Sequence, residues 1–196
     1  MPFQEFEAMP RLLAGLLFDA RTGGLILLLV IAAICDYRTR RIPNRLVFFG
    51  AAFGVIYTTM VPPVIHGTVL FPLSGLLVGC LVFLPLYLVR AMGAGDVKLL
   101  AMVGAFLGPV ETIWVALASM IVGGVVSIVW VLAHGRMFRM LENLVSFFQY
   151  GMLGAIAGTT SGMRITQEAS AGILPYGVVI ATGTMGYLSL HVLGFV

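Results

Sequence analysis

The sequence predicts an all-α, polytopic membrane protein with about six transmembrane helices and one amphipathic helix on the cytoplasmic surface. Three observations lead there. The 196 residues are 60% hydrophobic and only 10% charged, whereas soluble domains carry about a quarter charged residues. Mean hydropathy is +1.08. The apolar runs recur along the whole chain, which disfavours a soluble domain with one anchor and predicts a single integral membrane domain over 1–196. The net charge of +3 does not point to nucleic acid, because the basic residues lie beside apolar runs and read as topology determinants next to lipid.

Residues 1–21 carry Glu5, Glu7, Arg11 and Asp19 and lack the basic start and small-residue cleavage site of a signal peptide, so they read as an interfacial segment of the mature protein. Segment one spans 22–35, about 14 uncharged residues or roughly 21 Å of helix against a hydrocarbon thickness of about 30 Å. Such a short run is expected to continue through Asp36 and Tyr37, with Arg38, Arg40 and Arg41 reaching the headgroups. Pro43 in Ile42-Pro43-Asn44 then opens the next helix.

Segment two (46–61) ends at Pro62-Pro63, and segment three (69–89) ends at Arg90. Each carries a glycine pair four residues apart, Gly50 with Gly54 and Gly75 with Gly79, as expected of close-packed helix faces. Segment four (97–110) repeats the spacing at Gly104 and Gly108 and is again short, so its polar end either lies against protein inside the membrane region or requires a thinner bilayer. Segment five (112–133) starts with Glu111 suited to a helix N-terminus. Residues 134–170 read as a cytoplasmic loop containing the amphipathic helix, and segment six (171–192) has an expected break near Pro175.

With six spans, Arg38, Arg40, Arg41, Arg45, Arg90, Lys98, Arg136, Arg139 and Arg164 fall on one side, leaving Arg11 and Arg21 for the other. The first side is therefore cytoplasmic, and Asp36 and Asp96 share that face. An ionisable residue at the edge of an apolar span is by default a functional-site hypothesis. Two such carboxylates brought together hold one proton between them, so one can activate water while the other polarises a peptide carbonyl. Gly93 and Gly95, flanking Asp96, are expected to give the backbone freedom and room for an extended peptide. The bland reading of each aspartate is a helix cap or an ion pair with Arg38, Arg40 or Lys98. Lys98 itself either favours ionisation of Asp96 or snorkels to the interface.

No cofactor or metal is expected. Cys35 and Cys80 are unpaired in pattern, and His66, His134 and His191 lie in different segments. The sequence Gly93-Ala94-Gly95-Asp96-Val97-Lys98 lacks the ending of a phosphate loop and follows an apolar helix in place of a strand. Two other classes stay open. One is a proton-coupled transporter relaying protons through the same carboxylates; the other is a noncatalytic assembly subunit, which the resemblance given next would make one of a pilus or secretion machine.

Asp36 followed by Ile42-Pro43-Asn44, together with Gly93-Ala94-Gly95-Asp96-Val97-Lys98, resembles the two signature motifs of the type IV prepilin leader peptidases, membrane aspartyl proteases with a Gly-x-Gly-Asp motif. Pro175-Tyr176-Gly177 is similar to that family's proline-aromatic-glycine feature in the last span. The resemblance covers about residues 25–192. It implies that Asp36 and Asp96 are the catalytic pair and that Gly93, Gly95, Lys98, Pro43, Pro175, Tyr176 and Gly177 lie near substrate. It also implies cleavage of a basic leader from prepilins or pseudopilins at the cytoplasmic face of a bacterial-type inner membrane. Longer members carry paired Cys-x-x-Cys motifs associated with zinc, and many methylate the new N-terminus. This chain lacks the tetrad, which leaves methyl transfer unsupported and likens it to the short peptidases of tight-adherence systems, with archaeal preflagellin peptidases as a related alternative. The apolar helix of such a substrate is expected to pack among the glycine faces. Oligomeric state does not follow from the sequence.

Overall fold

The computed structural model of the chain describes residues 20–60, 69–88, 92–133 and 176–193. All regular structure among them is helical: α1 (Ala20–Thr39), α2 (Asn44–Met60), α3 (Leu70–Leu88), α4 (Ala94–Leu107), α5 (Pro109–Ala133) and α6 (Tyr176–Val192). Ala20–Thr39, Leu70–Leu88 and Pro109–Val129 are long and apolar enough to cross a membrane. The interfacial segment expected before residue 20, the amphipathic helix expected within 134–170 and Pro175 lie outside the described residues. The chain divides into two compact units, Met1–Gly123 with Pro175–Val196, and Gly124–Leu174. Of the second, residues 124–133, the end of α5, are described.

In the first unit the core is built on α4, which packs against α3, α2, α6 and α1. From Asp96 to Leu107 every residue of α4 except Lys98 is buried. A helix that is apolar all round belongs inside a bundle, which explains why α4 is short for a span. Its roughly 21 Å of length meets protein on most sides, and its polar first turn is set against other helices, where polar groups survive at membrane depth. The outer helices do the reverse. Leu27, Phe48, Phe49, Leu77 and Ile121 are each more than half exposed, an apolar exterior that suits lipid.

Lipid is as apolar as leucine, so these helices are held by close packing and by bonds between helices more than by exclusion of water. The glycines make the close packing possible. Gly75 of α3 and Gly104 of α4 meet backbone to backbone, and a methyl group on Gly79 would lie 2.6 Å from the Leu100 carbonyl oxygen. Gly54 receives the fully buried Phe106 ring, and Gly50 receives Met102. Thr58 Oγ1 of α2 donates to the Ala105 carbonyl of α4 at 3.3 Å, worth about 0.6–2 kcal/mol between membrane helices. The glycine faces at 50, 54, 75, 79 and 104 are thus filled from within the chain. The expected use of those faces by a substrate helix is corrected by this packing, since a second occupant would displace the core.

Helix ends follow local chemistry. Arg40, at φ 51, is left-handed, and its N–H donates to the Asp36 carbonyl at 2.8 Å, closing α1. Pro43 stands immediately before α2, and the Val47 N–H reaches its carbonyl at 3.4 Å. Between α4 and α5 the chain reverses at Gly108, whose φ of 97 is open to glycine and strained for other residues. Pro109 then supplies the preset first position of α5. At the same end of α4, Nε of Arg21 donates to the Phe106 carbonyl at 2.7 Å, and Nη2 donates to the same oxygen. Along α1, Arg21 and Asp36 are about 22 Å apart, so this tie closes the end of α4 opposite to Asp96.

Candidate active site

Asp36 sits in the last turn of α1 and Asp96 in the first turn of α4, 6% and 8% exposed. Each carboxylate is held by a backbone N–H. Asp96 Oδ2 accepts from Gly93 N at 3.0 Å, within its own turn, and the Asp96 N–H returns to the Gly93 carbonyl at 3.1 Å. This reciprocal closure starts α4 at Ala94, so Asp96 lies inside the helix where the sequence places it in the turn before. Asp36 Oδ2 accepts from Gly177 N of α6 at 2.7 Å. The second donor comes from 141 positions away in the chain, so α6 completes the surroundings of a group supplied by α1.

The Asp36 charge acts on Asp96, and that of Asp96 on the Tyr176 phenol. The Arg40 guanidinium in turn acts on Asp36. Tyr176, the first residue of α6, is half-buried, and a methyl group added to Gly123 of α5 would lie 3.5 Å from its hydroxyl. Asp36, Asp96, Gly93, Tyr176 and Gly177 therefore gather at one end of the bundle.

The remaining sequence-derived residues flank this group. Gly95 lies in the first turn of α4 against Ile42, where a methyl group would meet Ile42 Cβ at an ordinary 3.4 Å. Gly93 has φ −80 and ψ 152, an extended conformation open to any residue. The backbone freedom expected of Gly93 and Gly95 is therefore not used; what Gly93 supplies is an N–H at the right place. Among the described residues Lys98 pairs with no carboxylate. Its Nζ donates to Asn44 Oδ1 at 3.0 Å and lies 5.9 Å from the Phe48 ring centre. Pro43 is exposed, just before Asn44.

Among the described residues no three His, Cys, Asp or Glu side chains gather to hold a metal ion. Cys35 and Cys80 are free. What the site offers is a pair of buried carboxyl groups, each fixed by one backbone donor, with a phenol beside one of them. That inventory suits acid–base chemistry on a bound amide.

A model of the type IV leader peptidase family matches residues 24–128, more than half of the chain and inclusive of both aspartates. The chain belongs to the type IV leader peptidase family. Membership makes it a protease, and its apolar helices make it a membrane protein. Neither the curated proteins nor the solved structures yield a match. The matched region of this leader peptidase stops before α6, so the bond from Gly177 to Asp36 is a feature of the fold that the matched region does not contain.

The sequence alone marks Asn44 only as the end of a motif and Arg21 only as a charge for topology. Their partners, Lys98 and the Phe106 carbonyl, lie 54 and 85 positions away. Local pattern carries no signal for such pairs.

Proposed function

We propose that this leader peptidase is a membrane aspartyl endopeptidase that uses Asp36 and Asp96 to remove the basic leader of prepilin-like proteins at the cytoplasmic face. The observation that carries the reading is a pair of buried carboxyl groups from α1 and α4, each with its own backbone donor, with the charge of Asp36 acting on Asp96. With one proton shared between them, the ionised carboxylate takes a proton from water as the water oxygen attacks the scissile carbonyl carbon. The protonated partner passes its proton to the carbonyl oxygen, giving a tetrahedral diol. Collapse of the diol breaks the C–N bond, returns a proton to the second carboxylate and hands the first proton to the departing amine. Both groups end as they began, and no metal takes part.

The cytoplasmic orientation is supported by arginine and lysine crowding on the loops next to both aspartates. A prepilin or pseudopilin fits as substrate because its basic leader remains in water while its apolar helix stays in lipid, which brings the scissile bond to the boundary where both aspartates stand. Since the glycine faces are filled internally, that helix has to meet the exposed apolar flanks of the bundle.

The test is cleavage of a purified prepilin by the wild type, Asp36→Asn and Asp96→Asn, with the folding of each variant checked by thermal unfolding in detergent. Loss of cleavage by both folded variants is expected. Normal turnover by either one refutes the dyad and returns the carboxylates to a proton-relay or scaffolding role.

A further inference from the structure

We propose that Asn44 and Lys98 form a positioning pair that holds Asp36 and Asp96 in register, a role that rests on the aspartyl reading above. Asp36 and Asp96 stand on helices with different principal neighbours, α1 packing mainly on α6 and α2, and α4 mainly on α3 and α2. The two helices also pack on one another and share α2 and α6 as neighbours, and a tie from the chain after one carboxylate to the chain after the other adds a local restraint on their separation. Asn44 begins α2, directly beyond the segment 40–43 that leaves Asp36. Lys98 lies two residues beyond Asp96, and its ammonium donates to Asn44 Oδ1 at 3.0 Å.

A second contact runs beside the first. Ile42, half-buried, lies against Gly95, with 3.4–3.6 Å from a methyl group at Gly95 to the Ile42 side chain. The strut thus has an apolar strand, Ile42 on Gly95, and a polar one, Asn44 on Lys98. Together they bridge the two aspartate motifs at the end of the bundle where both carboxylates lie. The choice of partner for Lys98 is informative. A lysine placed for charge would turn to Asp36 or Asp96, whereas this one is held by a neutral amide and the face of Phe48. A flexible four-carbon stem loses much of its rotamer freedom when its tip is fixed, so the bond restrains α4 relative to the start of α2. A basic leader would also be repelled by Lys98, which argues against a substrate contact there.

The test is a double-mutant cycle on the full-length protein in lipid, measuring kcat and KM for prepilin cleavage by Asn44→Ala, Lys98→Met and the double variant, with Lys98→Arg, Asn44→Asp and Asp36→Asn alongside. Misplacement of reacting groups by about 1 Å costs on the order of a hundredfold in rate, so each single truncation is expected to lower kcat by about tenfold to a hundredfold with KM unchanged. The double variant is expected to be no slower than the slower single variant, because one link is lost in all three. Lys98→Arg and Asn44→Asp, which keep a donor and an acceptor, are expected to recover most of the rate. Wild-type kcat in the single variants, effects that multiply in the double, or a raised KM with kcat kept each overturn the proposal. If Asn44→Ala fails to fold because α2 loses its first residue, Lys98→Met and Lys98→Arg decide alone. An inactive Asp36→Asn beside a normal Lys98→Met removes only the positioning pair; an active Asp36→Asn removes the aspartyl reading and the pair with it.

Discussion

Replacing Gly177 with alanine separates the geometry of the site from the stability of the fold. A methyl group there would lie 2.9 Å from both Cβ and Oδ2 of Asp36 and 3.1 Å from Cγ. Ordinary contact begins near 3.4 Å, so α6 or the last turn of α1 must yield by roughly half an ångström, because Cβ of Asp36 cannot rotate away. Overpacking of this kind costs about 1–3 kcal/mol, offset by about 0.5–1 kcal/mol from replacing glycine within a helix. The net loss of about 0–2.5 kcal/mol leaves the bundle folded. The same displacement stretches the 2.7 Å bond from the Gly177 N–H to Asp36, and reacting groups displaced by about 1 Å lose on the order of a hundredfold in rate. Gly177→Ala should therefore unfold close to the wild type in detergent and cleave about thirtyfold to a hundredfold more slowly. Gly186, in the same helix with nothing within 4 Å of an added methyl group, is the control, and Gly186→Ala should keep the wild-type rate. Wild-type turnover by Gly177→Ala would show that the bond between α6 and Asp36 does not position the reacting carboxylate.

Gly104→Ala is expected to prevent folding, because its methyl group would overlap the Gly75 carbonyl, a backbone group that cannot rotate aside; a penalty at or above about 3 kcal/mol should appear as loss of the cooperative thermal transition, and a normal transition would refute the backbone contact between α3 and α4. Arg21→Met removes a charge-assisted bond from the end of α4, so thermal stability should fall by about 1–3 kcal/mol while kcat, measured below the transition, stays at the wild-type value about 22 Å away. Unchanged stability would refute the tie to Phe106.

The helical class and most helix positions were legible because lipid imposes a coarse rule: long apolar runs must be helices, and charges mark their ends. Segment one was expected to run on through Asp36 and Tyr37, and α1 does so, to Thr39. Segment four was legible only in part. Hydropathy begins it at Val97, but the bond from Gly93 N–H to Asp96 extends the helix back to Ala94 and puts the aspartate inside its first turn. Its shortness was visible in the sequence, while the reason, burial among four neighbouring helices, is a tertiary fact. At the site, the aspartates stood out as charges at apolar edges. Gly177 is legible as part of a motif, but its bond to Asp36, like that of Lys98 to Asn44, joins different helices, and spacing along one segment carries no trace of a partner on another.

The bond from Gly177 to Asp36 also has a consequence for how the protein is made. A chain leaving the ribosome inserts α1, α2, α3, α4 and α5 while the residue that completes Asp36 is still to be synthesised, 141 positions behind it. In that nascent chain the carboxylate of Asp36 has no donor from α6 until α6 docks. If Asp36 reacts as proposed, its full set of partners therefore exists only after α6 has been made and has packed against α1.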